Sequence, residues 1–372
     1  MDLLRGASVF VMIETHVVNA TLASALKLGV PFKILTFLNG LVAPTFLFCA
    51  GLAFAISFRR RWDDYVNLRA PFWRYLARIL FILVVAYSLH LPHFSLQRLL
   101  ALNDQSAWLP FFQSDILQVI ALTLLFLAGL AVAARTERLF TALAASACVL
   151  LIVLSPPVRA IDVTGWPVWL RPYFSMQFRS QFPLFPWSAF LIGGTLIGFR
   201  FIAAWESGST PRFMRRLALF GIALIVVSAL AELQPLTLYA NHDFWKASPE
   251  FFGIRFGLVV LMLWFWWVVA DRVKKGLGLL TVFGQESLLV YTVHLLVVYG
   301  YTYQFSFVRM YGPTLGYAES LGLFALLTLV MFALAFVWHA LKGWNLRGAK
   351  IVQVVVLGAI VLQFLFNPLN AG

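Results

Sequence analysis

Arg5 and His16 stand eleven residues apart in a stretch that is otherwise largely apolar. On a helix turning about 100° per residue, that spacing leaves them within about 20° of one face and about 16 Å apart along the axis. An arginine at one end of such a face offers a forked cation to a phosphate. An imidazole at the other end is a general base that works near neutral pH. A thioester on a long phosphorylated arm fits the separation, which points to acyl-coenzyme A as a donor. Asp2, Met12 and Asn19 lie near the same face, while Glu14 points elsewhere. The plainer alternative is that Arg5 snorkels to the interface and His16 bonds a neighbouring helix. The pairing on one face favours chemistry.

A second polar stripe follows Gly284-Gln285-Glu286, where Ser287, Tyr291 and His294 recur at i, i+4 and i+7 and so share a helix face. His294 falls at a depth similar to that of His16. It can orient an acceptor or stabilise an oxyanion, or it and Tyr291 simply bond neighbouring helices. Asp115 and Gln118 open another apolar run one turn apart. Asp115 suits the positive end of its helix dipole as a cap, with substrate orientation as the second reading. Phe182-Pro183-Leu184-Phe185-Pro186-Trp187 opens a further run, its prolines placed where first-turn N–H groups lack partners anyway. Trp187 there can touch an acceptor. Trp108, Trp166, Trp169, Tyr173 and Trp245 read as an aromatic belt. His90, His93 and His242 with Asp115 and Asp243 show no H-E-x-x-H or similar ligand spacing, so no metal is expected. His339 reads as interfacial.

The chain that must position these groups has 372 residues, 62% hydrophobic and 12% charged, with 36 Phe and 13 Trp and a mean hydropathy of +0.87. Soluble domains are about half apolar and about a quarter charged, so a cytosolic globular enzyme, a disordered chain and a disulfide scaffold are all excluded. Cys49 and Cys148 lie in separate apolar runs and read as small core residues. Stretches of roughly 20 apolar residues cross a bilayer as helices. They occur at 3–22, 34–58, 73–91, 115–134, 139–155, 183–203, 214–232, 252–270, 279–300, 317–341 and 350–367. Their Leu, Phe and Ala do not alternate with polar residues, which argues against an outer-membrane barrel. The fold class is all-α: a polytopic membrane helix bundle with eleven spans. Gly194 and Gly198 form a GxxxG spacing for close helix contact.

Charge sets the orientation. The balance is 28 Lys and Arg against 15 Asp and Glu, net +13, which in a membrane protein belongs to cytoplasmic loops and not to nucleic-acid binding. With the N-terminus inside, the inner connections carry Arg59, Arg60, Arg61, Arg69, Arg74 and Arg78, then Arg135 and Arg138, then Arg200, Arg212, Arg215 and Arg216. Arg272, Lys274, Lys275, Lys342, Arg347 and Lys350 complete the set, leaving fewer outside, Arg179, Lys246 and Arg255 among them. That predicts N-in, C-out. The first span begins almost at Met1 and reads as a retained anchor. No repeat or soluble insert divides the chain, so 1–372 is expected to be a single transmembrane domain.

Several blocks together resemble the heparan-α-glucosaminide N-acetyltransferase-like family. They are Asp2-Leu3-Leu4-Arg5-Gly6, Asn39-Gly40, Pro44-Thr45-Phe46-Leu47-Phe48-Cys49-Ala50-Gly51, Asp115-Ile116-Leu117-Gln118-Val119-Ile120, the run ending at Trp187, and Gly284-Gln285-Glu286-Ser287-Leu288-Leu289-Val290-Tyr291 leading to His294. The Arg5–His16 spacing is also similar to the R-x10-H signature of membrane acyltransferases that modify bacterial surface glycans. The resemblance implies transfer of an acyl group, usually acetyl, from cytosolic acyl-coenzyme A to a sugar amine or hydroxyl across the membrane. In the animal enzymes the catalytic histidine lies four residues before the Asn-Gly pair, where this chain has Leu35. They carry asparagine at the position of His16. The chain therefore looks like a bacterial branch in which the base role moves to His16.

The expectation is a bacterial inner-membrane acyltransferase. Arg5, Arg74 and Arg78 would hold the phosphates of acetyl-coenzyme A, and His16 would be the base. Asn39, Asp115, Gln118, Trp187, Tyr291 and His294 would orient the acceptor glycan or stabilise the oxyanion. A homo-oligomer is left open. The rival from another class is a transporter or flippase of a glycan or lipid intermediate, using the same polar interior as a pathway.

Overall fold

Each of those apolar stretches is helical in the structure, a computed structural model. It describes residues 1–372 except 178–179, 235–238, 240–242, 246, 274–275, 301–304, 368–372 and the side chain of Gln105. Arg179, His242, Lys246, Lys274 and Lys275 thus lie outside the described residues. The long helices, in chain order, are α1 (Asp2–Thr21), α2 (Val30–Asn39), α3 (Val42–Arg59), α4 (Ala70–Ser88), α5 (Ile116–Ala134), α6 (Glu137–Val153) and α7 (Leu184–Glu206). There follow α8 (Thr210–Glu232), α9 (Pro249–Arg272), α10 (Gly278–Gln285), α11 (Ser287–Tyr299), α12 (Tyr317–Trp344) and α13 (Leu346–Phe366). Helices are what lipid demands, since a spanning backbone has no water to bond. Among the described residues the only bridge outside them is an isolated one between Leu22 and Leu315.

Among the described residues eight helices, with Val30–Arg59 taken as one, are long and apolar enough to cross a membrane, and the pair α10–α11, bent by 77°, makes a ninth. α6, at 17 residues, is short for a span. In α1 the apolar run is diluted by Arg5, Glu14, His16 and Asn19. The polar residues that make α1 chemically interesting are the ones that weaken its signal as a span.

The chain divides into two compact units. One comprises Ala43–Ser88 and Phe112–Arg272. In it α7 crosses α3 at glycine: a Cβ at Gly51 would collide with the Leu191 carbonyl, and one at Gly194 with the Phe48 carbonyl. The GxxxG segment is therefore a helix-contact surface, as its spacing predicts. Near the end of this crossing Arg59 pairs with Glu206 at 2.8 Å and Glu137 at 3.5 Å, tying α3 to α6 and α7. Phe54, Phe58 and Tyr65 stack beside it, with ring centroids 4.1 Å apart at each step.

The other unit comprises Asp2–Val42, Leu89–Phe111 and Val273–Gly372. α1 packs there against α10, α11 and α12. Its first turn crosses α10 backbone to backbone, because a Cβ at Gly6 would strike the Leu280 carbonyl and one at Gly284 the Asp2 carbonyl. The bend between α10 and α11 falls at Glu286, a carboxylate only 5% exposed. It is held by His339 at 3.1 Å and Lys342 at 2.5 Å from α12. His339 thus has a specific partner beyond the interfacial place read from the sequence.

Candidate active site

α1 carries His16 half-buried on its inner face. The Nδ1 of His16 lies 3.0 Å from the Tyr299 hydroxyl, at the last residue of α11. Its ring packs edge-on against Tyr299, centroids 5.5 Å apart, and against His294 at 5.2 Å. His294 is 0% exposed. Its Nδ1 lies 2.8 Å from the Val290 carbonyl one turn back. A carbonyl only accepts, so the hydrogen sits on Nδ1 and Nε2 keeps the lone pair. That Nε2 is buried with no hydrogen-bond partner among the described residues. Tyr291 packs edge-on against His294 at 5.9 Å. His16, Tyr291 and His294, three of the residues singled out from the sequence, therefore form one cluster. Tyr299 completes it and was missed; its only sequence signal is a polar aromatic at the last residue before the Gly300 helix stop.

At the start of α1, Arg5 lies 3.8 Å from Asp2 in a loose ion pair, and Gln285 donates to the other Asp2 oxygen at 3.2 Å. The Gly6–Gly284 crossing is what brings α10 close enough for this bond. On the far face of α1, Glu14 is buried and neighbours Asn39 of α2. Glu14 Oε1 and Asn39 Oδ1 are both buried without a partner among the described residues. The sequence placed Glu14 off the His16 face, which is so, but did not connect it with Asn39.

The remaining candidates lie in the other unit. Asp115 and Gln118 form a capping box at the start of α5, with Asp115 Oδ1 accepting from Ile116 N–H at 2.7 Å and Gln118 Oε1 from Asp115 N–H at 3.2 Å. Capping accounts for one end of Gln118; its Nε2 is buried without a partner among the described residues. Trp187 packs edge-on against Phe182 at 4.7 Å, and its buried Nε1 also has no partner among the described residues. The Arg255 guanidinium sits 5.7 Å from the Trp187 ring and 3.7 Å from that of Phe251. Arg74 and Arg78 are exposed one turn apart on α4 and form no ion pair among the described residues. Burial in the aromatic stack pushes the Tyr65 phenol above its ordinary value, and the surrounding Arg61, Arg78 and Arg74 guanidinia partly offset this. Arg61 thereby joins the two arginines proposed from the sequence. No group of three His, Cys, Asp or Glu among the described residues is arranged to hold a metal.

Long apolar helices carrying an imidazole pair in contact define an integral, polytopic α-helical membrane protein. The family model for heparan-alpha-glucosaminide N-acetyltransferase, catalytic, matches residues 1–232, and the chain belongs to that family of membrane acetyltransferase-like proteins. The matched stretch holds Arg5, His16, Asn39, Arg74, Arg78, Asp115, Gln118 and Trp187, while Tyr291, His294 and Tyr299 follow it. No curated protein matches the chain.

Proposed function

We propose that this chain, acting as one transmembrane domain of eleven N-in, C-out crossings in a bacterial inner membrane, moves an acyl group from cytosolic acyl-coenzyme A to a glycan. The acyl group is acetyl by the family's name, and the acceptor a sugar hydroxyl or amine on the extracytoplasmic side. The observation that carries this reading is the His16 imidazole, seated against His294 and Tyr299 on the helix whose first turn bears Arg5. His16 takes the proton as the acceptor oxygen or nitrogen bonds the acyl carbon. The carbon–sulfur bond then breaks, and the sulfur leaves with the electron pair and recovers the proton as a thiol. Transfer through an acyl-imidazole on His16 uses the same atoms in two displacements.

The sequence assigns Arg5, Arg74 and Arg78 to the donor's phosphates, and no carboxylate among the described residues neutralises the last two. The acceptor oxygens of Glu14 and Asn39 suit a sugar's hydroxyl or amine hydrogens. The sequence also assigns Gln118, Trp187 and Tyr291 to the acceptor. The test is incubation of the purified protein with isotopically labelled acetyl-coenzyme A and a panel of envelope glycans, read by mass spectrometry. Label on a glycan with wild type and none with His16→Ala is the expected result; equal labelling by both removes His16 from the mechanism. The 77° bend between α10 and α11 is the one feature that favours a transporter or flippase. Glycan movement across vesicles without release of coenzyme A thiol would establish that reading instead.

A further inference from the structure

The reaction above uses one imidazole, yet the fold places two in contact. His294 is fully enclosed. An aliphatic or aromatic side chain of similar size would fill its place without leaving a polar atom unpaired, which always carries a desolvation cost. The Val290 carbonyl holds the hydrogen of Nδ1 at 2.8 Å, so Nε2 can take a hydrogen and cannot give one. This excludes oxyanion stabilisation by the neutral ring and leaves a single role for the bare nitrogen. His16 stands in a different state, its Nδ1 already engaged by the Tyr299 hydroxyl. Of the two rings, the one carrying a buried and unused lone pair is His294.

We propose that His294 is a second catalytic residue, its Nε2 accepting the hydrogen of the attacking hydroxyl or amine, so that base duty belongs to an imidazole pair and not to His16 alone. This rests on the acyltransfer reading and deepens it. As the acceptor's O–H or N–H bond breaks, its proton passes to the pair and the oxygen or nitrogen bonds the acyl carbon. The carbon–sulfur bond breaks, and the sulfur departs with the electron pair and takes the proton back as a thiol. The fixed tautomer has a purpose here: a hydrogen bond from Nδ1–H steadies the charge that forms on the ring when Nε2 is protonated.

The test uses the full chain in lipid nanodiscs with acetyl-coenzyme A and a mixed envelope-glycan extract, reading thiol release and glycan acetylation. His294→Asn keeps an N–H for the Val290 carbonyl and deletes the basic nitrogen. Transfer is expected to fall about 100-fold or more, with coenzyme A binding and melting temperature unchanged. His294→Gly leaves a ring-sized cavity, in which added imidazoles should restore transfer at rates that rise with their basicity. A merely structural ring would be replaced equally well by any imidazole that fits. His294→Asn within about threefold of wild type, or rescue indifferent to basicity, overturns the proposal and leaves the His16 reading standing. A wild-type protein that releases no thiol under any of these conditions sinks the acyltransfer reading and this proposal with it.

Discussion

The imidazole of His16 and the hydroxyl of Tyr299, separated by 283 residues of chain, meet at 3.0 Å. Two pieces of backbone geometry bring them together. Gly6 and Gly284 let α1 and α10 cross without intervening side chains, and the 77° bend at Glu286 redirects α11 away from the axis of α10. The tyrosine contact fixes the ring at one nitrogen, so orientation of His16 depends on a residue from the far end of the chain.

Tyr299→Phe keeps the edge-on ring packing and removes only this bond. One net hydrogen bond is worth about 1 kcal/mol, so kcat for acetyl transfer is expected to drop roughly 5- to 10-fold with KM for acetyl-coenzyme A unchanged. Steady-state kinetics on the purified variant check this. An equal change in KM would assign the tyrosine to substrate binding instead.

Arg74→Gln and Arg78→Gln should each raise KM for acetyl-coenzyme A by about 10-fold or more, since a charge-assisted phosphate bond contributes roughly 1.5–3 kcal/mol. kcat should hold, as binding of a remote phosphate is common to ground and transition states. Arg5→Gln should have a smaller effect, because Asp2 already shares that guanidinium at 3.8 Å. Titration calorimetry with coenzyme A provides the check; unaltered affinity in Arg74→Gln and Arg78→Gln would release both from this role.

Much of this was legible from residue type and spacing. The long apolar runs fall on helices because length and apolarity decide a membrane span with little help from tertiary context. Asp115 and Gln118 cap α5 because a capping box is a local, four-residue device. His16 and His294 lay at matching depths, and the fold puts their rings in contact. The Tyr299 contact and the Glu14–Asn39 proximity were hidden because each depends on how two helices rotate and cross, which one chain's periodicity does not fix. The bend at Glu286 was equally hidden: it replaces a straight 279–300 span by two helices, with a buried carboxylate between them.

Glu286 should be a stability residue. It is 5% exposed and accepts from His339 and Lys342, whose side chains are 44% and 35% exposed. Glu286→Ala strands neither partner in a dry site, so the cost is expected at about 1–2 kcal/mol, below the 3–5 of a fully buried pair. Lys342→Ala should cost less, since His339 continues to serve the carboxylate. Thermal unfolding in detergent, followed by tryptophan fluorescence, should rank wild type above Lys342→Ala and that above Glu286→Ala. A Glu286→Ala protein as stable as wild type would deny the bend its electrostatic anchor.

The α1–α10 crossing makes the sharpest steric prediction. A methyl at Gly6 would collide with the Leu280 carbonyl, and one at Gly284 with the Asp2 carbonyl; both obstacles are backbone and neither can rotate aside. Gly6→Ala and Gly284→Ala must therefore push the helices apart, at a cost of roughly 1–3 kcal/mol for overpacking a close contact. The same displacement carries α11, and with it His294 and Tyr299, away from His16. Activity should thus fall further than stability does. Gly343→Ala is the control, because nothing lies within 4 Å of a Cβ built there, and its melting temperature and turnover should match wild type. Paired melting and acetyl-transfer measurements on the three variants decide it: a Gly6→Ala protein with wild-type turnover would mean that the crossing does not position the imidazole pair.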